Sequence, residues 1–412
     1  MSDRASVRGR PRVAGALLAG LCAFAGAGMP ASARDAPQSS APFARQERAE
    51  LDRAVRDVCR RDIVLLGEDA DHGSGRTLEV KVELVRRLVS RCGFRGIVFE
   101  SSVYASLELE RRLAAGTADE AAVLDAAGQL WFRAAEARPL AGFLLEQARA
   151  GRLRIGGMDM QPLALPGGYA QSSLGDEVAA VLDVPRRAAC SAEVRRHARW
   201  DYDDASPFDD AAQQRLRACI EAMRAAVGTD AARGAPAIRP ETARSIVALS
   251  QYMAMAGDGD ADVRDRAMFD NLMWYRDRWP RGTRILVWCA TVHAAKTLSG
   301  VTGYQHPLGE AVHARFGDRA AALGFTALTG AFGPPVSGAT PIALTPLPPA
   351  ALEAKALSDA DAGLRYLDRR RLAKAGTIPA RAISYRRAHA LPWSQVLDGM
   401  IVLREERPAT PR

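Results

Sequence analysis

Residues 63–68 have the sequence Ile-Val-Leu-Leu-Gly-Glu, a continuous apolar run that ends in a carboxylate. A short run without alternation of polar and apolar residues is typical of a strand buried on both faces of a parallel sheet. Residues 77–92 then carry apolar side chains at helical spacing, and Gly93 follows as a helix stop. Residues 97–100, Ile-Val-Phe-Glu, repeat the strand pattern. Together these segments predict a right-handed β-α-β unit with two adjacent parallel strands.

The rest of the chain extends this pattern into an α/β fold. Further strands are predicted at residues 153–157, 285–288 and 400–403, and a mixed segment includes residues 321–328. Residues 172–278 are predominantly helical, with a break near residues 231–240. We therefore predict a central, mostly parallel sheet flanked by helices, with a large helical insertion that forms one wall of a cleft.

The N-terminal residues have the pattern of a secretory signal peptide. Four arginines precede an apolar stretch at residues 13–29, and Ala-Ser-Ala at residues 31–33 provides a cleavage site. We expect residues 1–33 to be removed on export to the periplasm or the medium, residues 34–47 to form a linker, and residues 48–412 to form the folded domain. No later segment has the ~20 apolar residues needed to span a bilayer, so we expect no integral membrane segment.

Five cysteines remain after the predicted leader, and an oxidising compartment favours disulfides between close pairs. Cys59 and Cys92 each precede a predicted strand, so adjacent strands would bring them together. Cys190 and Cys219 flank a helical stretch of their own. We predict one disulfide in each pair, with Cys289 as a free thiol in a buried strand.

The charge balance does not indicate a nucleic-acid partner. The chain has 56 Lys and Arg against 48 Asp and Glu, a net charge of +8, but the basic residues are spread among acidic ones and aromatic residues make up only 6%. Single-stranded nucleic-acid binders combine a basic groove with stacking aromatic residues, and no such pattern is present. The sequence also lacks the Gly-x-Ser-x-Gly elbow, the His-Glu-x-x-His zinc helix and the glycine-rich nucleotide-binding loops. A serine hydrolase of the common type is therefore not expected.

The predicted strands share one feature, because each ends in or leads to a polar or ionisable residue. These residues are Glu68, Glu100, Asp159 and His293. In open α/β sheets, ligands bind beyond the carboxyl ends of the strands. A single carboxylate at such a position could simply cap a loop or a helix, but four groups together indicate one shared site.

His72 is the predicted catalytic base. It lies in a glycine-rich loop before the start of a helix, and a histidine with a pKa near neutrality is the usual general base. Glu68 or Asp71 could orient its ring. The alternative is a histidine that only caps the following helix. Because a helix N-terminus favours anions, we also select Ser74 and Arg76 as substrate-binding residues.

Lys81 is predicted on the same helix face as Leu78, where a charge is costly unless it is paired. It could reach Glu68 or Glu100, or it could extend along the edge of the apolar face to solvent. We expect Lys81 and Asp159 to contribute to substrate binding.

The remaining histidines and three tryptophans are assigned elsewhere. We predict surface positions for His197, His306, His313 and His389. We predict core positions for Trp131, Trp274 and Trp288.

A series of short motifs extends along nearly the whole mature chain. They are Leu66-Gly67-Glu68, His72-Gly73-Ser74, Glu79-Val80-Lys81, Gly93-Phe94, Phe99-Glu100, Trp131-Phe132, Gly157-Met158-Asp159, Arg264-Asp265-Arg266-Ala267-Met268, Asn271-Leu272, Val287-Trp288, His293, the stretch from Gly303-Tyr304 to Gly309, and Asp398-Gly399. With these motifs the chain resembles the erythromycin esterase family. The resemblance implies ester hydrolysis, typically the opening of a macrolactone, by a metal-independent mechanism in which the histidine matching His72 activates water. Glu68, Lys81, Glu100 and His293 fall on matching positions.

Two positions depart from the usual pattern of that family. Three residues rather than two separate Glu68 from His72, so either the loop bulges or Asp69 takes over the carboxylate role. The family also commonly has a histidine three residues before the one matching His293, and this chain has Ala290 there. The loss of that polar group bears on macrolide esterase activity rather than on the fold.

These observations predict an exported hydrolase that acts on an ester, with a macrolactone-like ester as one candidate substrate. His72 would activate water, oriented by Glu68 and Glu100. His293 would stabilise the oxyanion or protonate the leaving group, and Lys81 would keep the carboxylates ionised. We expect a small-molecule ester as the partner, no cofactor or metal, and a monomer.

Two other classes of function stay open at this point. A metal- or haem-binding protein of the same fold could use His72, His293 and the strand-end carboxylates as ligands, a set suited to zinc or manganese. A non-catalytic binding protein would keep the cleft without turnover, and Ala290 supports that alternative. Metal analysis and turnover assays separate the three classes.

Overall fold

The computed structural model of the chain describes residues 43–162, 168–233, 238–258, 261–301, 305–359 and 362–411. The predicted signal peptide, residues 1–33, lies outside these ranges, and so do residues 34–42 of the predicted linker. The first helix begins at Arg45, so residue 48, the predicted start of the folded domain, lies inside that helix.

The helices, in chain order, are α1 (Arg45–Val58), α2 (Gly75–Cys92), α3 (Val103–Ala114), α4 (Glu120–Ala127), α5 (Gln129–Phe132), α6 (Arg138–Arg149), α7 (Tyr169–Ser172), α8 (Leu174–Ala179), α9 (Val184–Arg199), α10 (Asp210–Arg233), α11 (Pro240–Asp258), α12 (Ala261–Arg278), α13 (Thr291–Ala294), α14 (Leu308–Phe316), α15 (Leu352–Ala356), α16 (Arg369–Ala375) and α17 (Trp393–Val396). The strands are β1 (Ile63–Glu68), β2 (Gly96–Ser102), β3 (Arg154–Asp159), β4 (Ile285–Ala290), β5 (Ala320–Phe332), β6 (Ile342–Ala343), β7 (Leu364–Asp368), β8 (Thr377–Ser384), β9 (Arg387–Pro392) and β10 (Gly399–Glu406).

The main sheet has the strand order β3-β2-β4-β1-β5-β10-β7. The strands from β3 to β10 in this order pair in parallel, whereas β7 is antiparallel to β10 and the short β6 is antiparallel to the end of β5. The predicted class, a mostly parallel sheet flanked by helices with a large helical insertion, is confirmed. Among the residues that the structure describes, no helix is both long and apolar enough to cross a membrane.

The two strands of the first β-α-β unit are not neighbours, contrary to the prediction. Strand β4 lies between them and pairs with β1 on one side and with β2 on the other. Because β4 enters the sheet only after the helical insertion, the local pattern of residues 63–100 carries no information about it. The insertion of β4 leaves the carboxyl ends of β1 and β2 on either side of a third strand end.

Both predicted disulfides are present, although one forms for a different reason. Cys59 and Cys92, with Cα atoms 5.2 Å apart, follow or end the neighbouring helices α1 and α2, so helix packing rather than strand adjacency brings them together. Cys190 and Cys219 join α9 to α10, with Cα atoms 5.3 Å apart. Cys289 is a free, buried thiol in β4, as predicted.

Strand β1 is buried along its whole length, as its apolar run predicts. Val64 and Leu66 pack in a core with α1, α2 and α6, on one face of the sheet. Ile63 and Leu65 pack in a second core with the insertion helices α8 to α12, on the other face. Since alternate residues of a strand point to opposite faces, Glu68 shares the α2 face with Leu66. The predicted break in the insertion falls between the end of α10 and the start of α11.

The segment from residue 364 to residue 392 was not assigned any strand from its sequence. It contains the edge strand β7 and a separate two-stranded hairpin formed by β8 and β9. The hairpin packs against β5 and α13 through a third apolar cluster. His389 lies on β9 and is half-buried, so its predicted surface position is wrong.

Two of the other predicted surface histidines are also corrected. His197 is buried, and its Nε2 is 2.8 Å from the hydroxyl of Tyr252. His313 is partly buried and bonds Asp398 through Nε2 at 2.9 Å. Only His306, with 67% of its side chain exposed, has the predicted surface position. The partners of His197 and His313 lie 55 and 85 positions away in the sequence, so neighbouring residues do not reveal them.

Candidate active site

The structure brings the four predicted strand-end residues to one edge of the sheet. Glu68 ends β1, Glu100 lies near the end of β2, and Asp159 ends β3. His293 lies in α13, directly after β4. Ala290, the last residue of β4, is opposite Glu68 in the sheet register and donates its main-chain N–H to Glu100 Oε2 at 2.9 Å. The two glutamates therefore flank the end of β4, on strands roughly 10 Å apart.

Glu68 and His72 form a hydrogen-bonded pair. Glu68 Oε1 lies 2.9 Å from His72 Nδ1 and also accepts a hydrogen bond from Trp131 Nε1. The Nδ1 atom therefore carries the proton that Glu68 accepts, which leaves the lone pair of His72 on Nε2. Burial lowers the pKa of His72 below its ordinary value, so the ring is neutral at pH 7. About 14% of the side chain stays exposed.

Lys81 reaches the same carboxylate from α2. Its Nζ contacts the second carboxylate oxygen of Glu68 and lies 4.0 Å from the centre of the Trp288 ring. It also donates to the main-chain oxygen of Cys289 at 3.4 Å. Burial lowers the pKa of Lys81 well below its ordinary value, and Cys289 and Glu100 oppose that shift. Lys81 does not extend to solvent, because its side chain is completely buried.

The loop between β1 and α2 bulges to place His72. His72 has a φ of 55°, in the left-handed region that non-glycine residues rarely adopt. Asp69 does not replace Glu68 at the histidine: its carboxylate accepts main-chain N–H groups of Asp71 at 3.2 Å and of Tyr385 at 2.7 Å. The extra residue is therefore absorbed by the backbone, and Glu68 keeps the contact with the ring.

Arg264, from helix α12, is the centre of a second cluster. Its Nη2 donates to Glu100 Oε1 at 2.9 Å and to Asp159 Oδ2 at 2.7 Å. Its Nη1 lies 2.9 Å from His293 Nε2. Burial alone would lower the pKa of Arg264, but Asp159 and Glu100 raise it, so the guanidinium is a permanent cation. Arg264 therefore joins three of the predicted site residues, although the sequence reasoning did not select it.

His293 is held between two carboxylates. Its Nδ1 lies 2.9 Å from Asp265 Oδ1, and its Nε2 lies 3.2 Å from Glu100 Oε1. Burial alone would lower the pKa of His293, but Glu100 and Asp265 raise it to about 9, so the ring is an imidazolium at pH 7. Burial likewise would raise the pKa of Glu100, yet His293 and Arg264 hold it well below its ordinary value. The second cluster thus contains two cations and three carboxylates.

Two predicted substrate-binding residues lie away from these clusters. The guanidinium of Arg76 pairs with Glu47 at 2.7 Å and with Glu79 at 2.9 Å, which directs it toward α1. Ser74 is buried and forms an isolated β-bridge with Pro408. Its side chain accepts no helix-capping hydrogen bond. Asp159 and Lys81, the other two, contribute to the clusters described above.

Two of the predicted core tryptophans also have a place in the site. Trp131 and Trp288 are fully buried, and Trp274 is partly buried. Trp131 packs edge-on against the His72 ring, with centroids 5.3 Å apart, and Trp288 lies under Lys81. Their indoles shield the Glu68 pair from water, which strengthens its electrostatic interactions.

The donor set does not favour a metal. Within the described ranges, no group of three or more His, Cys, Asp and Glu side chains is arranged to hold a metal ion. Arg264 occupies the space between Glu100 and Asp159, and Lys81 faces the outer oxygen of Glu68. The positive charges that carboxylates require in a buried site are therefore supplied by side chains.

The arrangement combines the two parts that hydrolysis of a carbonyl compound needs. A neutral histidine oriented by a carboxylate can take a proton from water. A neighbouring cluster with an arginine and an imidazolium can stabilise negative charge that develops on an oxygen. Both clusters lie at the carboxyl edge of the sheet, where α/β proteins bind their ligands.

A sequence model of the erythromycin esterase family matches residues 89–405 of the chain. The matched range covers more than half of the chain and includes Glu100, Arg264 and His293, whereas Glu68 and His72 precede it. A comparison with curated proteins finds no significant match.

Three solved structures share the fold. A Bacillus cereus protein has 17% identity and a TM-score of 0.70, with 91% of this chain and 95% of that chain covered. A succinoglycan biosynthesis protein has 16% identity and a TM-score of 0.64, with 88% and 92% covered. A histidine-to-asparagine variant of the erythromycin esterase EreC in its open conformation has 15% identity and a TM-score of 0.61, with 87% and 94% covered. At these identities the likeness is one of fold.

Proposed function

Because the chain belongs to the erythromycin esterase family, we propose that it is an exported hydrolase that cleaves an ester bond in a small molecule. The observation that supports this proposal most directly is the contact of Glu68 Oε1 with His72 Nδ1 at 2.9 Å. It orients a neutral imidazole with its Nε2 lone pair available for a proton. The two disulfides are compatible with an oxidising compartment outside the cytoplasm.

His72 acts as the general base for water. Its Nε2 takes a proton from a water molecule while the water oxygen attacks the ester carbonyl carbon. Glu68 accepts the Nδ1–H bond throughout and stabilises the imidazolium that forms. The tetrahedral intermediate then collapses with cleavage of the bond to the alkoxy oxygen, which takes the proton from His72. The products are a carboxylic acid and an alcohol, and the base is regenerated.

Arg264 and His293 stabilise the oxyanion of this intermediate. Both are cationic at pH 7, and the carboxylates of Glu100, Asp159 and Asp265 fix their positions. Donors that are fixed in advance toward a developing charge contribute roughly 10²- to 10³-fold each to kcat in other hydrolases. In the alternative route, His293, with a pKa raised to about 9, gives the alkoxy oxygen its proton in place of His72; His72 then releases its proton to solvent and His293 takes one up, so both are regenerated.

The substrate we propose is a small-molecule ester, with a macrolactone-like ester as the first candidate, since the family is named for an erythromycin esterase. Ala290 presents only its main-chain N–H to the site, where it bonds Glu100.

The test is a substrate panel for the mature protein. Chromogenic short-chain esters, a 14-membered macrolide, an amide and a phosphate ester are offered with and without EDTA, beside His72→Ala. We expect turnover of at least one ester that survives EDTA and disappears in the variant. Turnover abolished by EDTA would favour the metal site instead, and binding without turnover of any ester would favour a non-catalytic binding protein.

A further inference from the structure

The loop that carries His72 is held by segments more than 250 positions away in the sequence. The main-chain oxygen of Gly73 accepts hydrogen bonds from the N–H of Gly333 at 2.9 Å and of Ala409 at 3.0 Å. A Cβ atom on Gly73 would lie 2.6 Å from the carbonyl group of Gly333, so only glycine permits this approach. The unusual backbone of His72 is therefore imposed by the C-terminal third of the chain.

Glu406, the last residue of β10, forms hydrogen bonds with the first turn of α2. It is buried, and its Oε1 accepts the main-chain N–H groups of Arg76 at 2.7 Å, of Thr77 at 3.2 Å and of Arg407 at 3.1 Å. Its Oε2 accepts the hydroxyl groups of Thr77 at 2.6 Å and of Tyr385 at 2.9 Å. Five donors thus converge on one carboxylate.

This carboxylate replaces the usual cap of α2. The first N–H groups of a helix have no partner inside the helix, and a Ser at the N-cap commonly accepts one of them. Ser74 occupies that position but accepts no such bond. The N–H of Gly75 instead donates to the main-chain oxygen of Arg407 at 2.7 Å, and Glu406 takes the next two.

The contacts of Glu406 lead toward two of the three partners of Glu68, namely Lys81 and His72. Thr77 lies four residues before Lys81, so the two share one face of α2. Tyr385 donates its main-chain N–H to Asp69, at the start of the His72 loop, at 2.7 Å. Glu406 therefore joins the helix that supplies Lys81 to the loop that supplies the base.

Glu353 is a control for Glu406, because it is equally buried but lies away from α2 and the His72 loop. It is also a completely buried glutamate, and it accepts the hydroxyl of Thr326 and the main-chain N–H of Arg381 at 2.8 Å. These partners lie in β5 and β8, and neither belongs to α2 or to the His72 loop. A purely structural carboxylate would behave like Glu353.

We propose that Glu406 is a positioning residue for the catalytic pair: by capping α2 and bonding Tyr385, it sets the distance between Glu68 and the His72 ring. The inference rests on the proposed function only for its kinetic consequence, because the position of the ring can be measured without turnover. Loss of the carboxylate lets the first turn of α2 and the bulged loop shift relative to β1.

The experiment compares Glu406→Gln with the matched control Glu353→Gln. Burial raises the pKa of Glu406 to about 7. Both variants are therefore studied at pH 8, where the Glu406 carboxyl of the native protein is mostly ionised and the glutamine that replaces it is neutral. Ring nitrogen NMR shifts are recorded from 15N-histidine-labelled protein, with the His72 signals assigned from His72→Gln among six histidines. Unfolding temperature, kcat and KM on the best ester complete the set.

We expect Glu406→Gln to move the His72 ring shifts and to lower kcat about 10- to 100-fold with KM little changed, since small displacements of reacting groups cost rates of this order. Glu353→Gln should lose comparable thermal stability without moving the His72 signals or kcat. Unchanged His72 signals in Glu406→Gln, with a stability loss like that of the control, would overturn the inference.

If Glu406→Gln does not fold, a second variant tests the same inference. Tyr385→Phe removes one hydroxyl donor from Glu406 and leaves the main-chain bond to Asp69 in place, and it should move the His72 signals in the same direction by less. His72 signals identical to the native ones in that variant would count against the inference. If no ester is turned over by the native protein, the NMR result alone decides the positioning role, and the hydrolase proposal fails separately.

Discussion

The pKa values of the two histidines of the site are shifted in opposite directions by their surroundings. Burial lowers the pKa of His72, whereas Glu100 and Asp265 outweigh burial and raise the pKa of His293 to about 9. Pairs of titratable groups whose pKa values are pushed apart are a common arrangement for acid and base roles. We assign the base role to His72 and the acid or electrostatic role to His293 on this ground.

Substitution of Arg264 should disturb the second cluster and leave the Glu68–His72 pair in place. Arg264→Lys keeps the charge but lacks the planar fork that bonds Glu100 and Asp159 together, so we expect kcat to fall by roughly 10²-fold with the His72 pair intact. Arg266→Lys is the matched control, because Arg266 is exposed on the same helix. Steady-state kinetics on one ester measures both variants, and equal kcat in the two would exclude the proposed role of Arg264.

At the residue scale, the sequence identifies the side chains at or near the ends of the strands and misses those on the distant helix α12. Glu68 and Glu100 could be selected because a buried strand that ends in a carboxylate is visible in a few residues. Arg264 and Asp265 lie on α12, more than 150 positions after Glu100, and helical spacing there does not distinguish a site residue from a surface charge. Their one indication was the Arg-Asp motif quoted for the family resemblance.

At the element scale, helix α2 is joined to the sheet by a buried ion pair. Removal of one partner from such a pair leaves an unpaired buried charge and costs about 3–5 kcal/mol. Lys81→Met should therefore lower the free energy of unfolding by about that amount, measured by urea denaturation. Addition of Glu68→Gln to Lys81→Met should restore part of the loss, and additive losses in the double variant would contradict a direct pair.

Elements with a strong local pattern were predicted well, and their pairing was not. The run at residues 63–68 and the helix that ends at Gly93 carry their own apolar periodicity. The position of β4 between β1 and β2 depends on residues that follow the long insertion. The β8–β9 hairpin was missed because the contacts around it, such as Tyr385 with Glu406, come from distant segments.

At the scale of the whole molecule, the disulfides connect helices on both faces of the sheet. Each closes a loop of 33 or 29 residues, and loops of this size stabilise a fold by about 3–4 kcal/mol in the chain-entropy model. The denatured, unreduced protein without residues 1–33 should expose one thiol, that of Cys289, to a thiol reagent. Reduction should lower the midpoint of urea unfolding, and three or more reactive thiols before reduction would contradict the pairing.

The pH dependence of kcat/KM tests the central claim, a neutral His72 acting beside a protonated His293, most directly. In Glu406→Gln, where the carboxyl with a pKa of about 7 no longer titrates, the rate should fall only as the pH drops below about 6.5, because the pKa of His72 is lowered from this ordinary histidine value. Because the pKa of His293 is raised to about 9, the rate should fall again as the pH rises through about 9. We therefore predict a bell-shaped profile with a plateau between these limits. In that variant, an acid limb centred well above 6.5, or a rate independent of pH from 5 to 10, would contradict the assignment of His72 as the base.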